Sequence, residues 1–394
     1  MKHFIGIDNS SIDHKVHIID ENCNKLKSFT ITNDLAGFQE LDMNLKNYEE
    51  SYIGLELPHG PIVDYLRSRN YVIYSLNPLK IKRFKESYIV SGNKNDRIDA
   101  EAITHYILRN RESLRTLTFN SPEMEKLKLF SLSHNRLTKE HTRYKNRLLF
   151  IFRQYFPLYS VLFSDHCSKI QLKMLLEYPV LADLKRATPD EITSFLIRNH
   201  YRNGKYIRKV LDAIQNYSHH IAQEVEETLS CEARAIARIL LVLKDERENV
   251  EKQMKAITDT HCLGKYFRSL PGSGEILASK LLSIFGDNKD RFTHTNGVQC
   301  LFGTAPRNYQ SGSYHKVIMR KSCNKIAKNI LFQYAFSSIK SSKWAREYYD
   351  AQRKKGKTHS VAVRALANKW VKIIFSIWKN ETFYEEDKKI SLVA

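Results

Sequence analysis

A single apolar stripe constrains this chain more than any other feature. Residues 214–257 carry an apolar side chain at every third or fourth position, and no proline occurs between Pro189 and Pro271. That spacing predicts one helix of roughly 45 residues with charged flanks. A helix of this length must bury its stripe against a coiled-coil partner or the second arm of a helical hairpin. Whether it also joins two subunits or is only a spacer stays open.

The first 80 residues follow a different period. Short β-rich runs with turn residues between them predict three successive strands, then a strand, a helix over 61–69 and a last strand. This order favours a mixed sheet, with hairpins early and parallel strands later. The runs are "HFIGID", "VHIID", "KSFTIT", "SYIGLEL" and "YVIYSLNP". From Asp96 the pattern becomes helical, and helix resumes from Pro122 to Pro157.

The rest of the chain is predicted to be mainly helical. Residues 157–205 are typical of several short helices in an inserted module. A loop-rich stretch to about residue 320 and further helices to about residue 379 follow Leu263, and the tail is expected to be frayed. The fold class is therefore α/β followed by all-α. We expect an α/β domain over 1–117, a helical region over 118–258, a C-terminal domain over 259–380 and a tail over 381–394.

The charge balance points to a polyanionic partner. The chain has 63 Lys and Arg against 43 Asp and Glu, a net charge of +20 and a pI of about 9.5. So large a charge repels itself unless a polyanion is near, and nucleic acid is the usual one. A basic protein without such a partner is the plainer alternative. The excess is spread through every segment, which favours nucleic acid.

Cysteine spacing and hydropathy limit the compartment. The six cysteines lie far apart without a CxxC pair, which argues against a zinc ribbon or a disulfide framework and fits a reducing cytoplasm. The apolar run at the N-terminus is interrupted by Asp8, too early for a signal peptide. No stretch reaches the roughly 18 apolar residues of a membrane span. We expect a cytoplasmic protein with no membrane partner.

Four carboxylates are candidates for one metal site. Asp8 ends the first predicted strand and Glu56 the fourth, so the two project from one edge if these strands are neighbours. Asp96 and Asp99, three positions apart, share a helix face. An acidic first turn is also explained by the helix dipole alone. Four carboxylates together, however, repel strongly unless cations neutralise them.

Oxygen ligands alone select Mg²⁺ or Mn²⁺. Two such ions about 4 Å apart can hold both the attacking and the leaving oxygen during phosphoryl transfer. With so basic a chain, the phosphodiester is expected to be a nucleic-acid backbone. The carboxylates therefore predict a nuclease-like site with two ions.

Two further stretches are candidates for nucleic-acid contacts. In "LPGSGEILASKLL", Gly272 and Gly274 precede a helical run, where backbone N–H groups can approach a phosphate. The pattern resembles a helix–hairpin–helix element, and a plain turn between packed helices is the alternative. A basic cluster follows at the start of a later helix, and Arg307 is counted with it. The cluster comprises Arg320, Lys321, Lys325 and Lys328.

The ordered motifs identify a family. They are "GIDNSS", "GLE", "NP", "KNDRIDA", "LPGSG", "RF" and "FGTAPRNYQSGS". This set resembles the DEDD transposases of the IS-one-ten insertion-sequence family, relatives of the Piv DNA invertase. The resemblance covers most of the chain, and "KNDRIDA" followed by "APRNYQSG" is its most specific part. It implies a RuvC/RNase H-like N-terminal domain, a helical middle and a C-terminal transposase domain.

The resemblance also assigns roles. The family's carboxylate tetrad falls on Asp8, Glu56, Asp96 and Asp99, and its proposed nucleophile on Ser311, which locally is an ordinary turn residue. It implies DNA cleavage and rejoining through a covalent phosphoserine link, with the carboxylates of one subunit and the serine of another. A dimer that pairs into a tetramer and a guide RNA that selects donor and target DNA are implied too.

This sequence departs from the family pattern at two places. Ser11 stands where the family usually has a lysine, and "ELPHGPI" replaces the usual residues after the glutamate. Two alternatives remain. One is a RuvC-like endonuclease that uses water, with Ser311 structural. The other is a non-catalytic nucleic-acid-binding protein with a decayed site, against which the intact tetrad counts.

Overall fold

A computed structural model describes residues 1–48, 50–88, 96–163, 165–312 and 314–386, without the side chains of Tyr88 and Asp96. The chain divides into two compact units, residues 1–119 and residues 120–394. The N-terminal unit is a sheet covered by helices on both faces, and the second unit is mainly helical. This confirms the predicted α/β domain followed by an all-α part.

The N-terminal sheet has the strand order β3-β2-β1-β4-β5. β1 is antiparallel to β2 and β2 to β3, whereas β1, β4 and β5 run parallel. The predicted mixed sheet and the proximity of strands one and four are therefore confirmed. The strands are β1 (Lys2–Asn9), β2 (Asp13–Asp20), β3 (Lys25–Thr32), β4 (Glu50–Leu55) and β5 (Val72–Ser75).

Alternate residues of the central strands face two separate cores. Ile5 and Ile7 lie in the core covered by α1 (Leu35–Leu45) and α2 (Pro61–Ser68). Phe4 lies in the other core, with α3 (Pro78–Tyr88) and α4 (Asp96–Asn110). The sequence predicted α2 and α4 but not α1 or α3. Pro78 was interpreted as the end of a strand, yet it begins α3, where proline's missing N–H costs no helical bond.

Two long helices form the framework of the second unit. α5 (Pro122–Tyr155) and α10 (Gln223–Thr260) pack side by side and antiparallel. Arg147 Nε donates to Glu232 Oε1 at 2.8 Å, and His134 Nε2 lies 2.8 Å from Glu251 Oε1. The apolar stripe therefore has its partner in the same chain.

The prediction of one unbroken helix over 214–257 is wrong. α9 (Gly204–Asn216) ends before α10 begins, and residues 217–222 between them are not helical. Aromatic packing explains the break without a proline. The His219 ring lies 5.4 Å from that of Tyr217 and 5.8 Å from that of Phe156. This cluster holds the chain where it turns from the module into α10.

The predicted inserted module is present as short helices. These are α6 (Lys169–Glu177), α7 (Leu181–Arg186) and α8 (Pro189–Arg198), followed by α9. They share a core with the adjoining parts of α5 and α10, where Phe152, Tyr155 and Tyr159 are fully buried. The module is thus built around one end of the long helix pair.

None of the helices within the described ranges combines the length and the apolar character needed to cross a membrane. Short 3₁₀ turns lie at Arg111–Ser113, Pro157–Ser160 and Lys289–Arg291.

The C-terminal part packs around Trp370 and Trp378, both fully buried. Its helices and strands are α11 (Gly264–Arg268), α12 (Gly274–Phe285), α13 (Thr295–Leu301), β6 (Arg307–Ser311), β7 (Tyr314–Ile318), α14 (Lys325–Ser338), α15 (Lys343–Lys354) and α16 (His359–Asn380).

The first residues of the expected frayed tail are packed. Glu386 Oε1 accepts hydrogen bonds from Ser342 Oγ at 2.8 Å and from the Trp344 backbone N–H at 3.2 Å. Trp344 Nε1 donates to the Tyr384 hydroxyl at 2.7 Å. These bonds dock residues 384–386 over the junction of α14 and α15, so the prediction is wrong there. Residues 387–394 lie outside the described ranges.

His141 of α5 makes the second unit sensitive to acid. Burial, with the charges of Lys244 and Arg247, lowers its pKa from 6.5 to about 4. Because the folded pKa is lowered, the unfolding free energy is highest above pH 6.5 and falls as the pH drops towards 4. We expect His141→Gln to reduce this loss, measured as urea midpoints at pH 7 and pH 4.5. The exposed His220→Gln is the control, and equal pH dependence in both variants would refute the assignment.

Candidate active site

Two paired glycines let α4 lie directly on the sheet. Gly6 of β1 and Gly54 of β4 are register partners in the parallel pair. A Cβ on Gly6 would lie 2.1 Å from the Ala100 carbonyl oxygen, and one on Gly54 would lie 2.2 Å from Ile107 Cδ1. No side chain fits between sheet and helix there. The glycine pair therefore fixes the height and position of α4.

This docking places two of the predicted carboxylates close together. Asp8 follows Gly6 by two residues in β1, and Glu56 follows Gly54 by two residues just beyond the end of β4, so both come at the carboxyl ends of neighbouring parallel strands. On α4, Asp96 and Asp99 lie one helical turn before Ala100 and Ile103, which cover Gly6 and Gly54. Asp99 lies near enough to Glu56 to raise its pKa, whereas a gathering of all four carboxylates stays a prediction. The side chain of Asp96 is outside the described part.

The described carboxylates interact electrostatically. Glu56 is half-buried, and burial, then the charge of Asp99, raise its pKa above the ordinary value. Lys85 of α3 forms an ion pair with Asp99 Oδ1 and partly offsets that rise. Sequence reasoning missed Lys85, because a lysine 14 residues before its partner carries no local signal. The edge thus holds accumulated negative charge that one ammonium partly balances.

The donor chemistry at this edge suits a hard divalent cation. Asp8, Glu56 and Asp99 offer only carboxylate oxygens, the ligands that Mg²⁺ and Mn²⁺ prefer. Among the side chains that the structure describes, no three Asp, Glu, His or Cys residues group closely enough to hold an ion. Asp8, Glu56 and Asp99 are all among those side chains, so the structure does not bring these three together as ligands, and the side chain of Asp96 lies outside it. The pair Glu56 and Asp99 is the part of the candidate site whose interaction the structure shows.

Adding one methyl group to the sheet should disrupt this edge. We expect Gly6→Ala to lower the unfolding free energy by about 1–3 kcal/mol, since the new Cβ meets the backbone of α4. Displacing α4 should also abolish any activity that needs Glu56 and Asp99 together. Gly297→Ala in α13 is the control, because its Cβ meets no atom within 4 Å. Urea unfolding and an activity assay test both effects, and a Gly6→Ala protein of full stability would show that α4 tolerates the new Cβ.

Ser311 lies in a β-hairpin, where a loop was expected. It is the last residue of β6 and pairs with Tyr314, the first residue of β7. Gly312 has φ +56°, which glycine adopts without strain, and helps to close the turn. The exposed strands give no apolar alternation, so the sequence contained no strand signal. Ser311 is exposed at the tip of this serine hairpin, and Ser313 is outside the described residues.

Gly272 lies in the turn between α11 and α12, and Gly274 is the first residue of α12. Both have positive φ, +72° and +56°. The Gly272 carbonyl accepts a hydrogen bond from Ser337 Oγ of α14 at 2.6 Å. The bond from Ser337 packs Gly272 against α14, as expected for a plain turn between packed helices. Gly274 faces open space, since a Cβ there would meet no atom within 4 Å. A phosphate contact by this turn stays a prediction.

The predicted basic cluster continues from the serine hairpin into α14. Arg307, Lys321 and Lys325 are exposed, and Arg320 is half-buried. Lys328 Nζ donates to the Arg320 carbonyl at 3.0 Å, which ties the connecting segment to α14. Lys325 and Lys328 line one cavity, and the binding of these cations to nucleic acid stays a prediction.

Two family models match the chain, one at each end. The model described as DEDD_Tnp_IS110, a transposase, matches residues 5–157. The model described as transposase IS116/IS110/IS902 family matches residues 264–350. The first match contains Asp8, Glu56, Asp96 and Asp99, and the second contains Ser311. The two matches thus follow the order of the motifs.

Curated relatives extend the similarity over the whole chain. A mini-circle protein from Streptomyces coelicolor, named as a transposase for IS117, is 23% identical to this chain. The alignment covers 98% of this chain and 96% of the relative. An IS110 protein of 43.6 kDa from the same organism is 26% identical over 74% of this chain and 72% of its own. The solved structure of T. thermophilus RuvC in complex with a Holliday junction aligns with 30% of this chain and 100% of the RuvC chain. The aligned residues are 10% identical, and the TM-score is 0.24. A TM-score this low does not define a shared fold. The family models and the relatives agree, however, and this chain is a transposase of the IS110 family.

Proposed function

We propose that this transposase cuts and rejoins DNA through a covalent phosphoserine intermediate on Ser311. Its carboxylates Asp8, Glu56, Asp96 and Asp99 would hold divalent cations at the scissile phosphate. The observation that carries the proposal is the coupling of Glu56 to Asp99 at the edge where α4 crosses β1 and β4. A fold retains such repulsion mainly where a cation relieves it.

The carboxylate edge would bind Mg²⁺ or Mn²⁺, with two ions expected. Bound ions would neutralise charge on the phosphate and on the departing oxygen. The chain's own part is to hold the carboxylates on rigid elements, which the glycine pair does for α4. Lys85 pairs with Asp99 and would have to release this carboxylate for it to hold an ion.

In the proposed step the Ser311 Oγ attacks the phosphorus and forms a phosphoserine ester. The bond from phosphorus to one deoxyribose oxygen breaks, the serine proton leaves to a base or to solvent, and the departing oxygen takes up a proton. One ester is exchanged for another, so a DNA hydroxyl can later reverse the step without ATP. The exposed hairpin tip suits a serine that must reach the carboxylates of another subunit.

The partners proposed are donor and target DNA, a guide RNA and further copies of the chain. The net charge of +20 supports nucleic-acid partners. A dimer that pairs into a tetramer would bring the serine of one subunit to the carboxylates of the next. The six free cysteines suit action on DNA in the cytoplasm.

Trapping the intermediate tests this function. Labelled DNA carrying the element's ends is incubated with the protein, its co-purified RNA and Mg²⁺, then denatured, and the labelled peptide is mapped. We expect the label on Ser311 and RNA that matches sequence flanking the reading frame. Cleaved DNA without any protein adduct would favour the water-using endonuclease. Bound but uncut DNA at every metal concentration would favour the non-catalytic binding protein.

A further inference from the structure

A pocket opens beside the base of the serine hairpin. It is lined by residues 303–306 and 317–320, by Tyr348 of α15, by Lys357 and by one face of α16. We name it the hairpin-foot pocket. Its volume is about 540 Å³, within the usual range for small-molecule sites. Neither the carboxylate site nor Ser311 belongs to it.

The lining of the hairpin-foot pocket is strongly positive. Arg320, Lys357, Arg364 and Lys369 all contribute, and no Asp or Glu lines it. Within the described ranges, the first three of these form no ion pair with a carboxylate. Cations are normally spread among acids on a protein surface, so this concentration favours an anionic ligand.

Two buried polar atoms at the pocket lack a partner among the described residues. They are Arg320 Nε, a donor, and Asn368 Oδ1, an acceptor. A buried polar group without a hydrogen bond costs free energy, and native proteins leave few of them. Both residues line the pocket, so a ligand that accepts and donates would satisfy both atoms once each side chain turns towards it, which a bare phosphate group without a proton cannot do.

The pocket also has an apolar wall. Val317, Met319 and Val361 are 57%, 46% and 36% exposed although apolar, and half-buried Tyr348 adds an aromatic ring. Lys369 Nζ lies 5.9 Å from the centre of that ring. A wall of this kind favours a flat, largely apolar group next to the anion.

We propose that the hairpin-foot pocket binds one unpaired nucleotide of the nucleic acid on which the transposase acts. The base would pack against Tyr348 and the apolar wall, and its polar edge would meet Arg320 and Asn368. The neighbouring phosphates would contact Lys357 and Arg364. In a duplex the bases are stacked inside, so only an unpaired base can enter. This inference rests on the proposed function, because that function supplies the nucleic acid.

The hairpin-foot pocket and Ser311 lie at opposite ends of the serine hairpin. Arg307 and Ile318 pair at the base of the serine hairpin, and Ser311 is at its tip, roughly 14 Å away along the strand at about 3.4 Å per residue. A second cavity of about 250 Å³ shares Met319 and Arg364 and adds Lys325 and Lys328. The two cavities form a basic track, on which the strand would be held at a fixed distance from the nucleophile.

Fluorescence anisotropy with full-length protein in EDTA tests binding without cleavage. The probes are one labelled 15-nucleotide sequence as single-stranded DNA, as single-stranded RNA, as duplex DNA and as DNA with abasic sites. Tyr348→Ala removes the ring, and Arg364→Gln is a second variant that leaves the apolar wall intact. Tyr206→Ala and Arg208→Gln of α9, both exposed, are the matched controls.

We expect Tyr348→Ala to weaken binding of intact single strands about 5- to 150-fold and to leave binding of abasic strands and duplex unchanged. Arg364→Gln should lower the salt dependence of single-strand binding by about 0.7 in the log–log slope. A stronger effect on DNA or on RNA tells which strand uses the pocket.

Three results would overturn the proposal. One is equal loss on intact and abasic strands, which leaves a phosphate site only. Another is unchanged binding in both variants, and the third is competition by polyglutamate as strong as by single strands. The covalent adduct is measured separately at saturating DNA. If the wild type forms the adduct and Tyr348→Ala binds single strands normally, the pocket alone is refuted. If the wild type forms no adduct and Tyr348→Ala weakens strand binding as expected, the nucleophile alone is refuted.

Discussion

Ser311→Ala should abolish the covalent protein–DNA adduct and reduce strand joining by a factor of about 10⁶, as in hydrolases that lose a catalytic serine. The hydroxyl forms the bond to phosphorus, and the methyl group of alanine cannot. Because the side chain is exposed, stability should change by less than about 0.5 kcal/mol. Denaturing gels with labelled DNA measure the adduct, and urea unfolding measures stability.

Ser313→Ala is the matched control for this prediction. It removes the same hydroxyl two residues away, across Gly312, and should leave the adduct intact. If Ser311→Ala still forms the adduct and Ser313→Ala does not, the nucleophile has been misassigned. If the wild type and both variants form no adduct but all three cut DNA, water is the attacking group.

Glu56→Gln should reduce DNA cleavage at least about 10²-fold, the loss typical when one group that stabilises developing charge is removed. The same change should stabilise the protein in EDTA. Glu56 is half-buried beside Asp99, so its ionised form is disfavoured in the fold and its neutral amide replacement is not. Activity and stability therefore move in opposite directions, which a change that merely damages the fold cannot produce.

The pH dependence sharpens this test. Because the folded pKa of Glu56 is raised, its carboxyl contributes most to stability below its ordinary value of 4.5, and that contribution is lost as the pH rises through the folded pKa. In EDTA the wild-type protein should thus lose stability over that window, and Glu56→Gln should lose less. Added Mg²⁺ should stabilise only the wild type.

Glu40→Gln is the matched control in the same unit, since Glu40 is exposed on α1 and distant in sequence from the tetrad. It should leave cleavage, stability in EDTA and the response to Mg²⁺ unchanged. Full cleavage by Glu56→Gln would remove Glu56 from the site. Reduced stability of Glu56→Gln in EDTA would contradict the electrostatic coupling to Asp99.

Much of the first unit could be predicted because its signals are local. Alternation in "HFIGID" and "SYIGLEL" specifies strands, and the three-residue spacing of Asp96 and Asp99 specifies a shared helix face. The helix α1 was missed although Phe38, Leu41 and Leu45 recur at helical spacing after the N-cap Asp34, and α3 was missed as well. The serine hairpin was missed as well, because an exposed two-stranded ribbon buries nothing that an apolar pattern could reveal.

The sequence by itself determined the mixed sheet, the long helices, the basic charge and the carboxylates and serine in their order. All of these depend on the identity of residues or on spacings of a few positions. Only the tertiary structure showed that Gly6 and Gly54 allow α4 to pack on the sheet and that Lys85 reaches Asp99. It also showed that aromatic packing breaks the long stripe and that cations from two connecting segments and α16 share one pocket. These contacts join residues far apart in the chain, and packing rather than local preference decides them.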